Sequence, residues 1–229
     1  MRKPNPICVA LDTPDLERAD GLATLLLGHV GMIKIGMEFF YAHGRTGYGR
    51  LAEIGIPIFL DLKLHDIPNT VAQGLRSLMV LQPAIINIHA TGGLEMMQAA
   101  RNAVVGTTKL IAVTVLTSLT NDNLWSTGFD GRHTGEHALN LAKLAHEAGL
   151  DGVVCSPLDV AAIRRELPRP FLAVVPGIRP EGSSSHDQKR VATPKAALDA
   201  GADILVVGRA ITEAEDPAHA ADQILQGIN

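Results

Sequence analysis

The chain has 229 residues, 46% hydrophobic and 19% charged, which is enough to bury a substantial core and too apolar to stay disordered. Twenty Lys and Arg against 24 Asp and Glu give a net charge of -4, and aromatic residues make up only 3%. That balance argues against nucleic-acid binding, anionic-membrane binding and base-stacking platforms.

Strands are expected at Ile7–Asp12, Met32–Gly36, Ile56–Asp61, Ala84–His89, Leu110–Leu116, Gly152–Cys155, Phe171–Val175 and Ile204–Gly208. Several are apolar over nearly their whole length, as strands buried on both faces are. Helical spacing appears between them, in Val71, Leu75, Leu78 and Met79, and again in Ala138, Leu141, Ala142, Ala145 and Ala148. Ser156-Pro157 and Thr193-Pro194 each read as an N-cap with proline at the first helical position, and Gly55, Gly149 and Gly201 close helices. No apolar run approaches the ~20 residues that span a bilayer, and no signal-peptide core follows Met1. Cys8 and Cys155 stand alone in apolar runs, as core residues rather than disulfide or zinc partners. A soluble, cytoplasmic protein is expected.

Eight strand–helix units in 229 residues take about 29 residues each, the economy of a small (β/α)8 TIM barrel. No Gly/Ser/Pro-rich linker divides the chain, so residues 1–229 are expected to form one domain. A doubly wound open sheet is the competing architecture. The long irregular stretches 117–133 and 176–193 are of a length usually reserved for function.

Polar residues stand at the ends of these apolar strands. Asp12 ends the first, Lys34 lies in the second, Asp61 ends the third with Lys63 beyond it, and His89 ends the fourth. Thr117, Arg179 and Arg209 follow the fifth, seventh and eighth. In a (β/α)8 barrel all of these meet at the C-terminal face, where active sites sit. The densest run is Asp61-Leu62-Lys63-Leu64-His65-Asp66-Ile67-Pro68-Asn69-Thr70. Strand alternation would point Asp61 and Lys63 the same way, with Asp66 close behind. Flanking carboxylates would hold the lysine as a cation, ready to stabilise negative charge or deliver a proton. A rim salt bridge that ends the strand is the plain alternative.

Pro176-Gly177-Ile178-Arg179 and Val207-Gly208-Arg209 fall where such barrels bind phosphate. Gly182-Ser183-Ser184-Ser185 suits a loop that closes over the anion; two surface arginines are the alternative. His65, Asp66 and His89 could in principle take a metal, but a hydrogen-bonded His89 beneath the site is the simpler expectation.

The ten-residue run 61–70 closely resembles the signature of the orotidine 5′-monophosphate (OMP) decarboxylase family. Val9-Ala-Leu-Asp12, Lys34-Ile-Gly36, Asn87-Ile-His-Ala90, Thr114-Val-Leu-Thr117-Ser118, Pro176-Gly-Ile-Arg179-Pro180, Asp187-Gln188 and Val207-Gly208-Arg209 extend the likeness over nearly the whole chain. The resemblance implies a cofactor-independent and metal-free conversion of OMP to UMP. It makes Lys63 the proton donor, in an array with Lys34, Asp61 and Asp66. Asp12 and Lys34 would hold ribose hydroxyls, and Thr117 or Ser118 would face the pyrimidine. Arg179, Gln188, Gly208 and Arg209 would take the phosphate, whose binding would close the 179–188 loop, and Pro176 would be a further substrate-binding residue. Asp66 and Thr70 would reach into the neighbouring subunit's site of a homodimer. Two rivals remain: a magnesium-dependent sugar-phosphate barrel enzyme sharing the Asp-x-Lys-x-x-Asp core, and a non-catalytic UMP sensor.

Overall fold

The computed structural model describes residues 4–179 and 190–228. Eight parallel strands close into a barrel in chain order: β1 Ile7–Ala10, β2 Met32–Gly36, β3 Ile58–Leu64, β4 Ile85–His89, β5 Lys109–Val113, β6 Gly152–Val154, β7 Leu172–Val175 and β8 Ile204–Val207. Helices α1 Leu16–Leu26, α2 Met37–Ala52, α3 Pro68–Leu78, α4 Gly93–Ala103, α5 Asn121–Ser126, α6 Thr134–Glu147, α7 Val160–Glu166, α8 Pro194–Asp199, α9 Arg209–Thr212 and α10 Pro217–Gln226 complete it. The open-sheet alternative is excluded by the β1–β8 pairing, Cys8 beside Val206. None of the described helices is long and apolar enough to cross a membrane.

Alternation along the strands divides the core into two layers. Cys8, Ala10, Phe59, Ile85, Ile111, Val174 and Val206 pack together inside the barrel. Val9, Ile33, Leu60, Ile86, Val153, Ala173 and Leu205 face outward, in one cluster with helix residues such as Leu22, Leu26, Phe39, Leu75 and Met96. Phe59 is the largest residue inside the barrel and is almost wholly buried. Its burial contributes about 2–3 kcal/mol.

Local signals explain most of the boundaries. Thr193 caps α8 by accepting from Ala196 N at 3.2 Å, with Pro194 in the first turn. Asp15 and Asp216 cap α1 and α10 in the same way, at 3.1 and 3.0 Å. Ser156-Pro157 behaves differently: α7 begins only at Val160, because Ser156 folds a turn of its own. Its hydroxyl accepts from Leu158 N and its carbonyl from Asp159 N. The 117–133 stretch is also less irregular than expected. A reciprocal Thr120–Asn123 capping box starts α5, and Leu124 packs against Val115 and Ala138.

The largest departure is in β3. Simple alternation would carry Asp61 and Lys63 on one face of an unbroken strand. Instead the β3–β4 register passes from Leu60/Ile86 to Leu64/Ile88, four residues against two, and Lys63 takes a left-handed φ of 52°. The bulge is tied by Asn87, whose side-chain oxygen accepts from Lys63 N at 2.8 Å. A non-glycine residue in this region costs about 1–2 kcal/mol and must be held by its surroundings.

Candidate active site

A cavity of about 860 Å³ opens where the strands end, floored by Ala10, Phe59, Val154, Cys155 and Val206. Of the residues expected in the site, Asp12, Lys34, Asp61, Lys63, Thr117, Ser118, Pro176, Arg179, Gly208 and Arg209 all line it. Asp66 and Thr70 do not. Both are exposed, and the Asp66 carboxylate accepts from Ile67 N at 2.7 Å instead of standing behind Lys63. Gln188, the Gly182–Ser185 run and the expected closure of 179–188 lie outside the described residues.

The charged side of the cavity is an alternating chain. Lys34 Nζ donates to Asp12 Oδ1 at 2.9 Å and lies 3.2 Å from Asp61 Oδ2. Lys63 Nζ donates to Asp61 Oδ1 at 2.7 Å. Asn87, fully buried inside the barrel, donates to the same oxygen at 2.6 Å. Burial opposes the charge on Asp61, but the two ammoniums and the donors from Lys63 and Asn87 outweigh it, holding the carboxyl below its usual range. Lys34 meets the same contest. Burial works against its cation, yet Asp61 and Asp12 push its pKa above the ordinary lysine value. Gly36 makes room for the chain: a Cβ there would meet Asp12 Oδ1 at 3.0 Å and Lys34 Nζ at 3.2 Å.

The His89 ring packs on His65, centroids 5.5 Å apart, and the hydrogen bond expected of its side chain is not found among the described residues. Burial, then the nearby His65 and Lys63, hold its pKa below the usual histidine value, so it is neutral at physiological pH. His65, Asp66 and His89 do not gather as a metal site, and no cluster of three or more metal-ligating side chains occurs among the described residues. Cys155 is inert as a nucleophile because burial pushes its thiol pKa far up.

The same cavity is lined by Arg179 and Arg209, which follow β7 and β8. The Arg179 backbone is fixed by donating to Ala192 O at 3.0 Å, and its Nη1 donates to Ile178 O at 2.9 Å. Arg209 opens α9, where Ile211 N and Thr212 N both donate to Gly208 O. Arg18, Thr212 and Glu213 line the cavity without having been expected there, and the role of the buried Asn87 beneath it was not expected either. Arg18 belongs to α1, and nothing in the α1 pattern marks that residue. Asn87 had a signal, a lone amide within an otherwise apolar strand.

Fold and site together define a (β/α)8-barrel enzyme that faces a lysine–carboxylate array with an arginine-bearing rim. The chain belongs to the orotidine 5′-phosphate decarboxylase / HUMPS family, whose model matches residues 5–224. An orotidine 5′-phosphate decarboxylase of Erythrobacter litoralis is 51% identical over 220 residues, spanning 96% of this chain and 97% of that protein. Another, of Novosphingobium aromaticivorans, is 53% identical over the same shares of both chains. The crystal structure of orotidine 5′-phosphate decarboxylase from Lactobacillus acidophilus superposes with a TM-score of 0.86 at 39% identity, covering 98% of this chain and 99% of that one. Orotidine 5′-phosphate decarboxylases convert OMP to UMP in pyrimidine biosynthesis.

Proposed function

We propose that this chain decarboxylates OMP at C6, with the Lys63 ammonium as the proton donor. One observation carries the reading: Lys63 Nζ lies at the cavity wall, held at 2.7 Å by a carboxylate that Lys34 and Asn87 also grip. The C6–carboxylate bond breaks, neutral CO2 leaves, and its bonding pair stays on a ring carbon that cannot delocalise it well. A fixed ammonium stabilises that charge and then transfers a proton to C6; water later restores the proton to Lys63. Asp61 stands beside the departing carboxylate, and their repulsion is relieved as CO2 forms.

Asp12 and Lys34 hold the ribose hydroxyls, while Thr117 and Ser118 face the pyrimidine. Arg179, Gln188, Gly208 and Arg209 take the phosphate, and Pro176 is a further substrate-binding residue. The outward position of Asp66 and Thr70 supports a homodimer in which each subunit lends these two residues to its neighbour's cavity. No metal or organic cofactor takes part in this reaction.

The test follows OMP absorbance with purified protein in EDTA. Conversion to UMP is expected, and activity that vanishes with chelation would favour the metal-dependent sugar-phosphate alternative. Lys63→Ala is expected to lower kcat by ~10⁴-fold or more with UMP affinity changed only a few-fold. Turnover near the wild-type rate would remove Lys63 from the chemistry.

A further inference from the structure

A second buried charged cluster lies apart from the lysine–carboxylate array. Arg190 and Asp159 are both buried, with Arg190 Nη1 donating to Asp159 Oδ2 at 2.9 Å. Arg190 Nη2 donates to the carbonyls of Val115 and Leu116, at 3.2 Å each. Those carbonyls immediately precede Thr117 and Ser118 on the cavity wall. Two residues beyond Arg190, the backbone of Ala192 bridges to the other rim. It accepts from Arg179 N at 3.0 Å and donates to Gly177 O at 3.2 Å. The short segment 190–192 is therefore tied to the turn after β5 by a side chain and to the turn after β7 by its backbone.

A buried ion pair adds little net stability compared with an apolar replacement of the same volume. What a guanidinium offers here is direction, since one planar fork serves a carboxylate and two carbonyls at once.

We propose that Arg190 is a positioning residue, setting the Thr117–Ser118 turn at the reach of a pyrimidine nucleotide from Arg179, with Asp159 fixing the plane of its guanidinium. This rests on the reading that Thr117 and Ser118 face the base and Arg179 the phosphate. A ligand that occupies both ends of the cavity depends on that spacing. A sugar phosphate that occupies one end does not.

The experiment measures dissociation constants for UMP and ribose 5-phosphate, and kcat and KM for OMP. It compares wild type, Arg190→Lys, Thr117→Ala, Ser118→Ala and the Arg190→Lys/Ser118→Ala double variant. Lysine keeps the pairing with Asp159 but cannot hold both carbonyls as well. Arg190→Lys is expected to weaken UMP binding and lower kcat/KM about tenfold, with ribose 5-phosphate affinity within about twofold of wild type. In the Ser118→Ala background the further loss should shrink below about twofold. Equal weakening of both ligands, fully additive losses or wild-type behaviour would each overturn the proposal. Should Arg190→Lys fail to fold, Asp159→Asn carries the same comparison, with the same expected pattern and the same refutation. If Thr117→Ala and Ser118→Ala each bind UMP like wild type, the assignment of the base end itself falls. Additive losses with those two variants impaired sink only the role of Arg190.

Discussion

Asn87→Asp keeps the shape of the side chain but exchanges the amide that donates to Asp61 for a carboxyl group. The wild-type amide nitrogen lies 2.6 Å from Asp61 Oδ1. Two full negative charges at that distance repel by about 6 kcal/mol at an effective permittivity of ~20. That repulsion corresponds to ~10⁴-fold in a protonation equilibrium. Lys34 and Lys63, 3.2 and 2.7 Å from Asp61, offset part of it. The carboxyl pair should then share one proton through mildly acidic solution, with its second ionisation raised above the ordinary carboxyl range by the like charge. The singly protonated pair reproduces the wild-type donor and supports Lys63.

Function and stability of the variant are therefore present at low pH and lost as pH rises through that raised ionisation. The assay is kcat/KM for OMP across the pH range, for variant and wild type, with urea midpoints at both extremes. The variant-to-wild-type ratio is expected to fall at least about tenfold between about pH 5.5 and 8.5. A ratio that is flat or rises with pH would refute the argument that the Asn87 amide governs the charge and position of Asp61.

Arg209→Ala should lower kcat/KM for OMP about a hundredfold, mainly through KM, as loss of a charged anchor remote from the reacting carbon does; steady-state kinetics check this. In wild type the Asp61 carboxyl is held below its usual range, so its stabilisation is present above about pH 4 and lost as pH falls below it. Asp61→Asn should remove part of that acid sensitivity, read from urea midpoints between about pH 5 and 3. Gly152→Ala would drive a methyl group into the carbonyl and Cβ of Leu172 across β6 and β7, costing about 2 kcal/mol in urea unfolding. Gly21→Ala, on an exposed turn of α1 with nothing near the added methyl, should instead stabilise by about 0.5–1 kcal/mol.

The barrel was legible in the sequence because its strands are short, apolar and evenly spaced, and because Gly55, Gly149 and Gly201 take the left-handed turns that end helices, at φ 88°, 77° and 108°. The charged residues expected at the cavity, Asp12, Lys34, Asp61, Lys63, Arg179 and Arg209, were legible for a related reason, since a charge at the end of an apolar strand has one place to go in this fold, whereas Ser118 was marked only by the family resemblance. Period-two reasoning brought Asp61 and Lys63 together by the wrong route, as a bulge set by a side chain 24 residues away is invisible to local pattern. Arg190 shows the same limit more strongly: the carbonyls it holds lie 74 and 75 residues earlier. Asp66 read as a neighbour of Lys63 because it is near in sequence. The turn after the bulge carries it outward instead.

The strand registers align Ala10, Lys34 and Phe59 at one height inside the barrel, with Gly36 and Asp61 two residues higher. Lys34 is thus rooted on a greasy storey and delivers its amine to the ionic one above. Its methylene stem works as a mast whose length matches the gap between floors. Redesign of this scaffold has a natural cut at that level: repacking the lower storeys tunes thermal endurance, while new reactivity has to be written in the top ring.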